Sequence, residues 1–101
     1  MPLEKLAAEA ITEELETLEG WTLRQDGAAI SKRFKFTNFS QAFGFMTECA
    51  LVAERLNHHP EWFNVHSRVD VVLTTHAVSG LTARDIALAK EMDRAACRRE
   101  N

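Results

Sequence analysis

Pro60 separates a stretch with helical periodicity from two stretches with the pattern of β-strands. A proline fixes its own φ angle, lacks a backbone donor and disfavours the helical region for the residue before it, here His59. From about residue 40 to 57, apolar residues recur with the period of a helix, whereas residues 62–66 and 69–76 resemble strands. The sequence therefore predicts a helix that ends before a stiff, non-helical corner, followed by two strands.

The first part of the chain repeats this order of elements. Residues 3–19 carry their apolar side chains on one broad face, which indicates a helix. A short strand at 21–24 and a longer one at 30–36 flank Asp26-Gly27, a dipeptide typical of hairpin turns. Lys32 falls on the otherwise apolar face of the longer strand, and we interpret it as marking a solvated strand end.

The last helix is predicted to begin at Thr82. Thr82-Ala83-Arg84-Asp85 fits a capping box, and Leu81 with Ile86 fits a hydrophobic staple. The complete order is then helix, strand, strand, helix, strand, strand, helix. We therefore expect residues 1–101 to form a single α+β domain, in which three helices pack on one face of a four-stranded antiparallel sheet.

Composition and charge exclude several classes of function. The 101 residues carry a net charge of −3 and no long basic run, whereas binding to a nucleic-acid backbone needs clustered Lys and Arg. No apolar run approaches the roughly 20 residues of a membrane span. Met1–Lys5 begins an acidic amphipathic segment rather than a signal peptide. With Cys49 and Cys97 interpreted as reduced thiols, we expect a cytoplasmic protein.

All four histidines lie between residues 58 and 76. His58 and His59 are adjacent on the corner before Pro60, and His76 stands at the far end of the predicted strand 69–76. An imidazole, with an ordinary pKa of about 6.5, both gives and takes a proton near neutral pH. We interpret these three histidines as a proton-transfer site, and His66 as a structural or surface residue.

A metal site is the competing interpretation of the same residues. His58, His59, His76 and Glu54 could imitate a catalytic zinc set. Adjacent histidines on a strand-like corner diverge, however, and the chain contains no H-x-x-x-H or C-x-x-C pattern. We therefore expect no bound metal.

The segment His58-His59-Pro60-Glu61-Trp62-Phe63-Asn64-Val65 resembles the pterin-4a-carbinolamine dehydratase family. Thr75-His76, followed by the segment from Gly80 to Ile86, and Ala42-Phe43-Gly44-Phe45-Met46 extend the resemblance, which covers most of the chain from Trp21 to Met92. The resemblance implies a hydro-lyase that dehydrates 4a-hydroxytetrahydropterin, the product left by aromatic amino-acid hydroxylases, to quinonoid dihydropterin. It thus implies a role in recycling tetrahydrobiopterin-type cofactors, and the enzyme needs no cofactor of its own.

The resemblance also implies which residues form the site. His58, His59 and His76 would be catalytic. The substrate would lie against Asn57-His58-His59 and Thr74-Thr75-His76-Ala77, with Glu54, Trp62 and Asp85 nearby. Asn57, His66 and Ala77 depart from the residues common in the family, which are Asp, an aromatic residue and a polar or acidic residue respectively. These departures concern the contacts to the pterin rather than the histidines.

Partners are expected at two surfaces. Family members form dimers whose sheets join edge to edge, and often tetramers through helices, so the resemblance implies a homodimer or homotetramer. The apolar residues of the helix at 40–57 cover about half its circumference, more than one sheet needs. The surplus residues Phe45, Val52 and Leu56 predict either a second packing surface, such as another subunit, or burial under the N-terminal helix.

A non-catalytic interaction module that uses the helix at 40–57 is the alternative function. The resemblance supports this alternative, because an animal family member also serves as a dimerisation cofactor of a homeodomain transcription factor. A protein partner would then join the small-molecule pterin as a ligand of this chain. Intact acid–base histidines favour catalysis, and the two functions are not exclusive.

Overall fold

The computed structural model describes residues 3–99, which form a four-stranded antiparallel sheet and three helices. The helices are α1 (Ala8–Glu16), α2 (Phe39–Leu56) and α3 (Ala83–Cys97), and the strands are β1 (Thr22–Leu23), β2 (Ile30–Lys35), β3 (Glu61–Val65) and β4 (Arg68–Leu73). The strand order is β1-β2-β4-β3, and each neighbouring pair is antiparallel. The predicted α+β fold and its order of elements are confirmed. Met1, Pro2, Glu100 and Asn101 lie outside the described residues, so the predicted amphipathic start at Met1–Lys5 is described only from residue 3.

Alternation along β2 and β4 gives the sheet one apolar face. Successive side chains of a strand point to opposite faces, so every second residue faces the core. The buried residues of these strands are Ile30, Phe34, Val69, Val71 and Leu73. Helices α2 and α3 pack against each other over this face, and they bury Ala42, Phe45, Cys49, Ala53, Ile86, Leu88, Ala89, Met92 and Ala95. In the range 3–99, no helix has the length and apolarity that a membrane crossing requires.

The surplus apolar residues of α2 pack against the core of the chain. Phe45 is 0% exposed, and its ring centroid lies 4.7 Å from that of Phe34. Val52 and Leu56 pack against the same core. The alternative of a second packing surface is therefore wrong for Phe45, and for the half-buried Val52 and Leu56 it stays a prediction. The principal helical neighbour of α2 is α3 rather than the N-terminal helix. The exposed large apolar side chains of α2 are instead Phe39, Phe43 and Leu51.

The first helix is shorter than predicted. It begins at Ala8, and its N-cap residue Ala7 has no side chain that could accept a hydrogen bond from the first turn. Residues 3–7 form a non-helical strap, in which the Leu6 N–H donates to the Leu81 carbonyl at 2.7 Å. Leu6 still packs against the core. The apolar residue that suggested a helix is therefore held against the core by a non-helical backbone.

The last strand also ends earlier than predicted. β4 stops at Leu73, and Thr75 forms an isolated bridge with Gly80. The chain between the two bridge residues makes a 3-10 turn at His76–Val78. His76 therefore lies on a turn beyond the sheet, and its predicted place at the end of a strand is wrong.

The turn between β3 and β4 lies at His66 and Ser67, one residue earlier than predicted. His66 adopts a left-handed backbone conformation with φ of 52°. The Asn64 side-chain amide donates to the carbonyls of His66 and Arg68 at 3.1 and 2.8 Å and so closes the turn. His66 itself is exposed, in agreement with the prediction of a structural or surface residue.

Candidate active site

The end of α2 fixes the corner from which two histidines project. Asn57 is the C-cap in a left-handed conformation, φ 53° and ψ 44°, and its N–H donates to the Ala53 and Glu54 carbonyls. The His58 N–H donates to the same Ala53 carbonyl at 3.0 Å, while Arg84 Nη1 donates to the Asn57 carbonyl at 3.3 Å. The helix thus ends before Pro60, and His58 and His59 lie on a non-helical corner as predicted.

His58 is hydrogen-bonded to a buried carboxylate. Its Nε2 lies 2.5 Å from Oδ1 of Asp85, and the two residues are 9% and 0% exposed. Oδ2 of Asp85 accepts from the Thr82 N–H at 2.9 Å and from the Thr75 hydroxyl at 2.7 Å. A carboxylate only accepts hydrogen bonds, so Nε2 of His58 carries the hydrogen of this contact. Within residues 3–99, the other ring nitrogen, Nδ1, has no hydrogen-bond partner.

Two buried threonines complete the surroundings of Asp85. The oxygens of Thr75 and Thr82 are 2.9 Å apart, and both residues are nearly inaccessible. Because the Thr75 hydroxyl donates its one hydrogen to Asp85, the Thr82 hydroxyl donates to Thr75. Such a satisfied network in a low-dielectric interior holds its members in one arrangement. The confirmed capping box of α3 therefore also anchors the imidazole of His58.

His76 is paired with a carboxylate that the sequence did not suggest. Its Nε2 lies 2.7 Å from Oε2 of Glu61, and both side chains are largely exposed. Glu61 opens β3 directly after Pro60, whereas His76 follows β4. Only the antiparallel pairing of those strands brings the two residues together. The one signal in the sequence was the position of Glu61 beside the histidine corner.

The remaining predicted site residues are arranged around these two pairs. His59 Nε2 lies 3.0 Å from Oε1 of Glu54, and both side chains are exposed. The Thr74 hydroxyl donates to the Ala28 carbonyl at 2.6 Å, so it is already used within the fold. Trp62 is half-buried against the core, and Ala77 is exposed in the 3-10 turn.

Two hydrogen-bonded links join the segments that carry the histidines. One runs from His58 through Asp85 to Thr75, the neighbour of His76. The other is the direct contact between Glu61 and His76. Through residues 3–99, no three His, Cys, Asp or Glu side chains are grouped so that they could hold a metal ion. The arrangement instead offers imidazoles whose Nε2 atoms are each engaged by a carboxylate, which suits proton transfer.

Relatives with curated names are similar over nearly the whole chain. Residues 4–95 match the family model described as pterin 4 alpha carbinolamine dehydratase. A protein of Rhizobium rhizogenes is 63% identical over 99 residues, which are 98% of each chain. A protein of Sinorhizobium fredii is 62% identical over 96 residues, 95% of this chain and 91% of the relative. Both are provisionally named pterin-4-alpha-carbinolamine dehydratase.

Solved structures share the fold. The crystal structure of a transcriptional coactivator/pterin dehydratase from Brucella melitensis has a TM-score of 0.89 and 47% identity, over 92% of this chain and 99% of that one. A pterin dehydratase-like protein described as a RuBisCO assembly factor in the alpha-carboxysome is similar in fold alone, with a TM-score of 0.67 and 22% identity. The match over residues 4–95 and the two relatives at 62% and 63% identity show that the chain belongs to the pterin-4a-carbinolamine dehydratase family.

Proposed function

We propose that this protein removes water from 4a-hydroxytetrahydropterin to give quinonoid dihydropterin, and that it thereby supports recycling of a tetrahydrobiopterin-type cofactor. The buried contact between His58 and Asp85, at 2.5 Å, is the observation that carries the proposal. It supports the proposal because Nε2 of this imidazole is hydrogen-bonded to a buried carboxylate, which leaves Nδ1 as the nitrogen that would exchange a proton with the pterin. Membership of the family supplies the class of substrate.

The reaction needs two proton movements and no change of oxidation state. The C4a–O bond breaks as the leaving hydroxyl takes a proton, and the N5 lone pair forms the C4a=N5 double bond. N5 then loses its hydrogen to a base, so the products are water and quinonoid dihydropterin. A positioned acid or base contributes about 10²–10⁴-fold to such a step. Imidazoles serve in either role near neutral pH.

The three histidines divide these tasks according to their surroundings. We assign proton transfer to His58 and His76, and binding and orientation of the pterin to His59. His58 is held by the buried network, and His76 comes from the other segment of the site. The pterin would lie between those segments, against Asn57, Ala77 and the threonines 74 and 75, with Trp62 as a wall of the pocket.

Self-association is part of the proposal. β3 is an edge strand of the sheet and exposes two apolar side chains, Phe63 at 62% and Val65 at 44%. An exposed edge with apolar side chains is a template for pairing with another chain. We propose a homodimer joined at this edge, or a homotetramer that also uses α2.

Binding to another protein through α2 is the second candidate function. The exposed Phe39 and Phe43 rings lie 5.7 Å apart near the start of α2, and Leu51 is 68% exposed further along it. Apolar side chains on one helix can dock a partner helix. The Brucella melitensis neighbour is described as a transcriptional coactivator/pterin dehydratase, which favours testing this function beside catalysis.

A direct assay tests the catalytic proposal. Freshly generated 4a-hydroxytetrahydropterin is followed spectroscopically with and without the protein, since spontaneous dehydration sets the baseline. We expect acceleration by the wild type, a loss of at least about 10²-fold in kcat for His58→Ala and His76→Ala, and mainly a raised KM for His59→Ala. A wild-type rate equal to the spontaneous one would refute catalysis. A normal rate in His76→Ala would remove that residue from the mechanism.

Size-exclusion chromatography with light scattering tests the proposed homodimer or homotetramer.

The substitution Phe43→Glu in α2 tests the alternative function. If α2 serves only a protein partner, Phe43→Glu abolishes capture of that partner while turnover never exceeds the spontaneous rate. If the chain is a dehydratase, Phe43→Glu turns over substrate at the wild-type rate.

A further inference from the structure

Glu61 lies beside a proposed catalytic histidine, but the family resemblance does not assign it to the site. We infer that Glu61 is a positioning residue, which holds the His76 imidazole by its Nε2 atom so that Nδ1 faces the pterin. The inference rests on the proposed dehydration for its chemical meaning. It starts from the 2.7 Å contact between His76 Nε2 and Glu61 Oε2.

Strand pairing fixes the backbone of Glu61, whereas the ring of His76 depends on a hydrogen bond to stay in place. Glu61 is the first residue of β3, follows Pro60 and pairs with Val72 of β4. His76 begins a 3-10 turn, and its side chain is 83% exposed. Within the described range 3–99, the Glu61 carboxylate is the one hydrogen-bond partner of the His76 ring. Without it, an exposed imidazole samples several rotamers and loses the geometry that proton transfer needs.

The carboxylate also selects a nitrogen. An ionised carboxylate accepts hydrogen bonds and donates none, so the ring hydrogen of the contact lies on Nε2 of His76. The lone pair that takes up a proton is then on Nδ1. His58 is presented in the same sense, because its Nε2 donates to Asp85. Two imidazoles from separate segments therefore offer the same kind of atom to one substrate.

Glu61 differs from Asp85 in having no evident structural task. Asp85 is fully buried and accepts hydrogen bonds from Thr75 and the Thr82 backbone. The Glu61 side chain is 56% exposed, and within residues 3–99 its hydrogen-bond partner is His76, whose side chain is 83% exposed. Exposed pairs of this kind contribute little to stability, since both groups remain solvated. Removing Glu61 should thus leave the fold intact, and any change in rate reports on the site.

Two substitutions separate positioning from simple loss of a surface charge. Glu61→Ala removes the acceptor, while Glu61→Gln keeps a side-chain oxygen that can accept from Nε2 without the charge. We expect Glu61→Ala to lower kcat about tenfold, a part of the 10²–10⁴-fold that one acid–base group supplies, with KM changed less than about twofold. Glu61→Gln should recover most of the lost rate. Glu14→Ala, which breaks the exposed pair of Glu14 with Lys90 at 3.3 Å, is the matched control and should behave as wild type.

Carbon-13 relaxation of the His76 ring provides a readout that does not depend on turnover. The Cδ2–H order parameter should be high in wild type and Glu61→Gln, and should fall toward values below about 0.6, typical of flexible groups, in Glu61→Ala. An unchanged order parameter in Glu61→Ala overturns the inference, as does an unchanged kcat. If wild type shows no turnover, the proposed function fails, and the relaxation result alone decides whether Glu61 positions His76.

Discussion

Asp85 is the residue on which both the fold and the proposed chemistry depend. Its two oxygens accept from His58, Thr75 and the Thr82 backbone, and no part of the side chain is exposed. One residue thus closes the first turn of α3 and fixes the orientation of an imidazole. A substitution there can be designed to affect the second task more than the first.

Asp85→Asn is expected to reverse the hydrogen bond to His58. The amide oxygen can still accept from Thr75 and the Thr82 N–H, which directs the amide NH₂ group toward His58. Nε2 must then accept, so the hydrogen moves to Nδ1 and the free atom can no longer act as the base. We predict a loss of about 10²–10⁴-fold in kcat, comparable to the loss of a positioned acid–base group, measured with 4a-hydroxytetrahydropterin.

Circular dichroism and urea unfolding of Asp85→Asn provide the control, because a folded but inactive variant separates the tautomer effect from loss of the helix cap. A folded Asp85→Asn protein with wild-type kcat would show that the His58 tautomer does not matter. Asp93→Asn, at an acidic residue on the same helix away from the histidines, should retain full turnover.

Local patterns revealed more of the site than long-range contacts did. The histidine pair beside Pro60 and the capping box at Thr82 and Asp85 are short motifs, and both were predicted from the sequence. Glu61 was missed because its contact with His76 spans 15 residues and depends on how β3 pairs with β4. The contact of Asp85 with His58 spans 27 residues. The family resemblance placed Asp85 near the substrate but did not give this contact.

At the scale of elements, the N-terminus of α3 is a structural part of the site. Thr82 caps the helix, with its hydroxyl accepting from the Arg84 N–H at 3.3 Å, and also bonds Thr75. Asn38 caps α2 by accepting from the Gln41 N–H at 2.8 Å, and its side chain makes no second hydrogen bond to any residue from 3 to 99. The two caps therefore form a natural comparison between a cap that supports the site and one that supports only its helix.

We predict that Asn38→Ala and Thr82→Ala both lower the free energy of unfolding, by about 1 and about 2 kcal/mol, in line with the usual range for lost N-caps. Only Thr82→Ala should also lower kcat, several-fold, because Thr75 loses its donor and the anchor of Asp85 loosens. Urea unfolding and the dehydration assay give the two quantities. Thr82→Ser keeps the hydroxyl and should restore both, and an Asn38→Ala protein with reduced kcat would contradict this distinction.

Element boundaries were predicted less well than element types. The apolar period of the first helix extends to residue 3, yet Ala7 offers no cap and the strap pairs with Leu81 instead. Alternation suggested a strand up to residue 76. The strand instead ends at Leu73, and the chain turns back through the bridge between Thr75 and Gly80. A backbone hydrogen bond decided the outcome in both places, to the distant Leu81 in the first and to the nearby Gly80 in the second. Periodicity carries no information on such bonds.

Across the whole molecule, a network around Lys32 joins the sheet to the helical layer. Lys32 Nζ donates to Asp93 Oδ1 on α3 and to the Glu19 carbonyl after α1, both at 2.9 Å. The same carboxylate accepts from Trp21 Nε1 at 3.1 Å, and the ammonium lies 4.9 Å from the centroid of the Phe34 ring. The Lys32 side chain is 22% exposed, so its interpretation as a solvated strand end was wrong. Its place on the apolar face was correct, but the charge is compensated there rather than hydrated.

Lys32→Met tests how much this network contributes to stability. The substitution keeps most of the apolar stem and removes the ammonium, which leaves Asp93 with only the Trp21 indole among the partners described above. Hydrogen bonds to charged groups contribute about 1.5–3 kcal/mol each. Lys32 and Asp93 are both partly exposed, so solvent screening lowers the expected loss below the sum of the two Lys32 bonds, to about 1–2 kcal/mol in urea unfolding. Lys35→Met, at an exposed lysine on the same strand, should change stability by less than about 0.5 kcal/mol.

Dehydration should continue in Lys32→Met, because the network lies on α3 and β2, apart from the histidines. Equal stability losses in the two variants would mean that the ammonium at Lys32 is no better compensated than one in solvent.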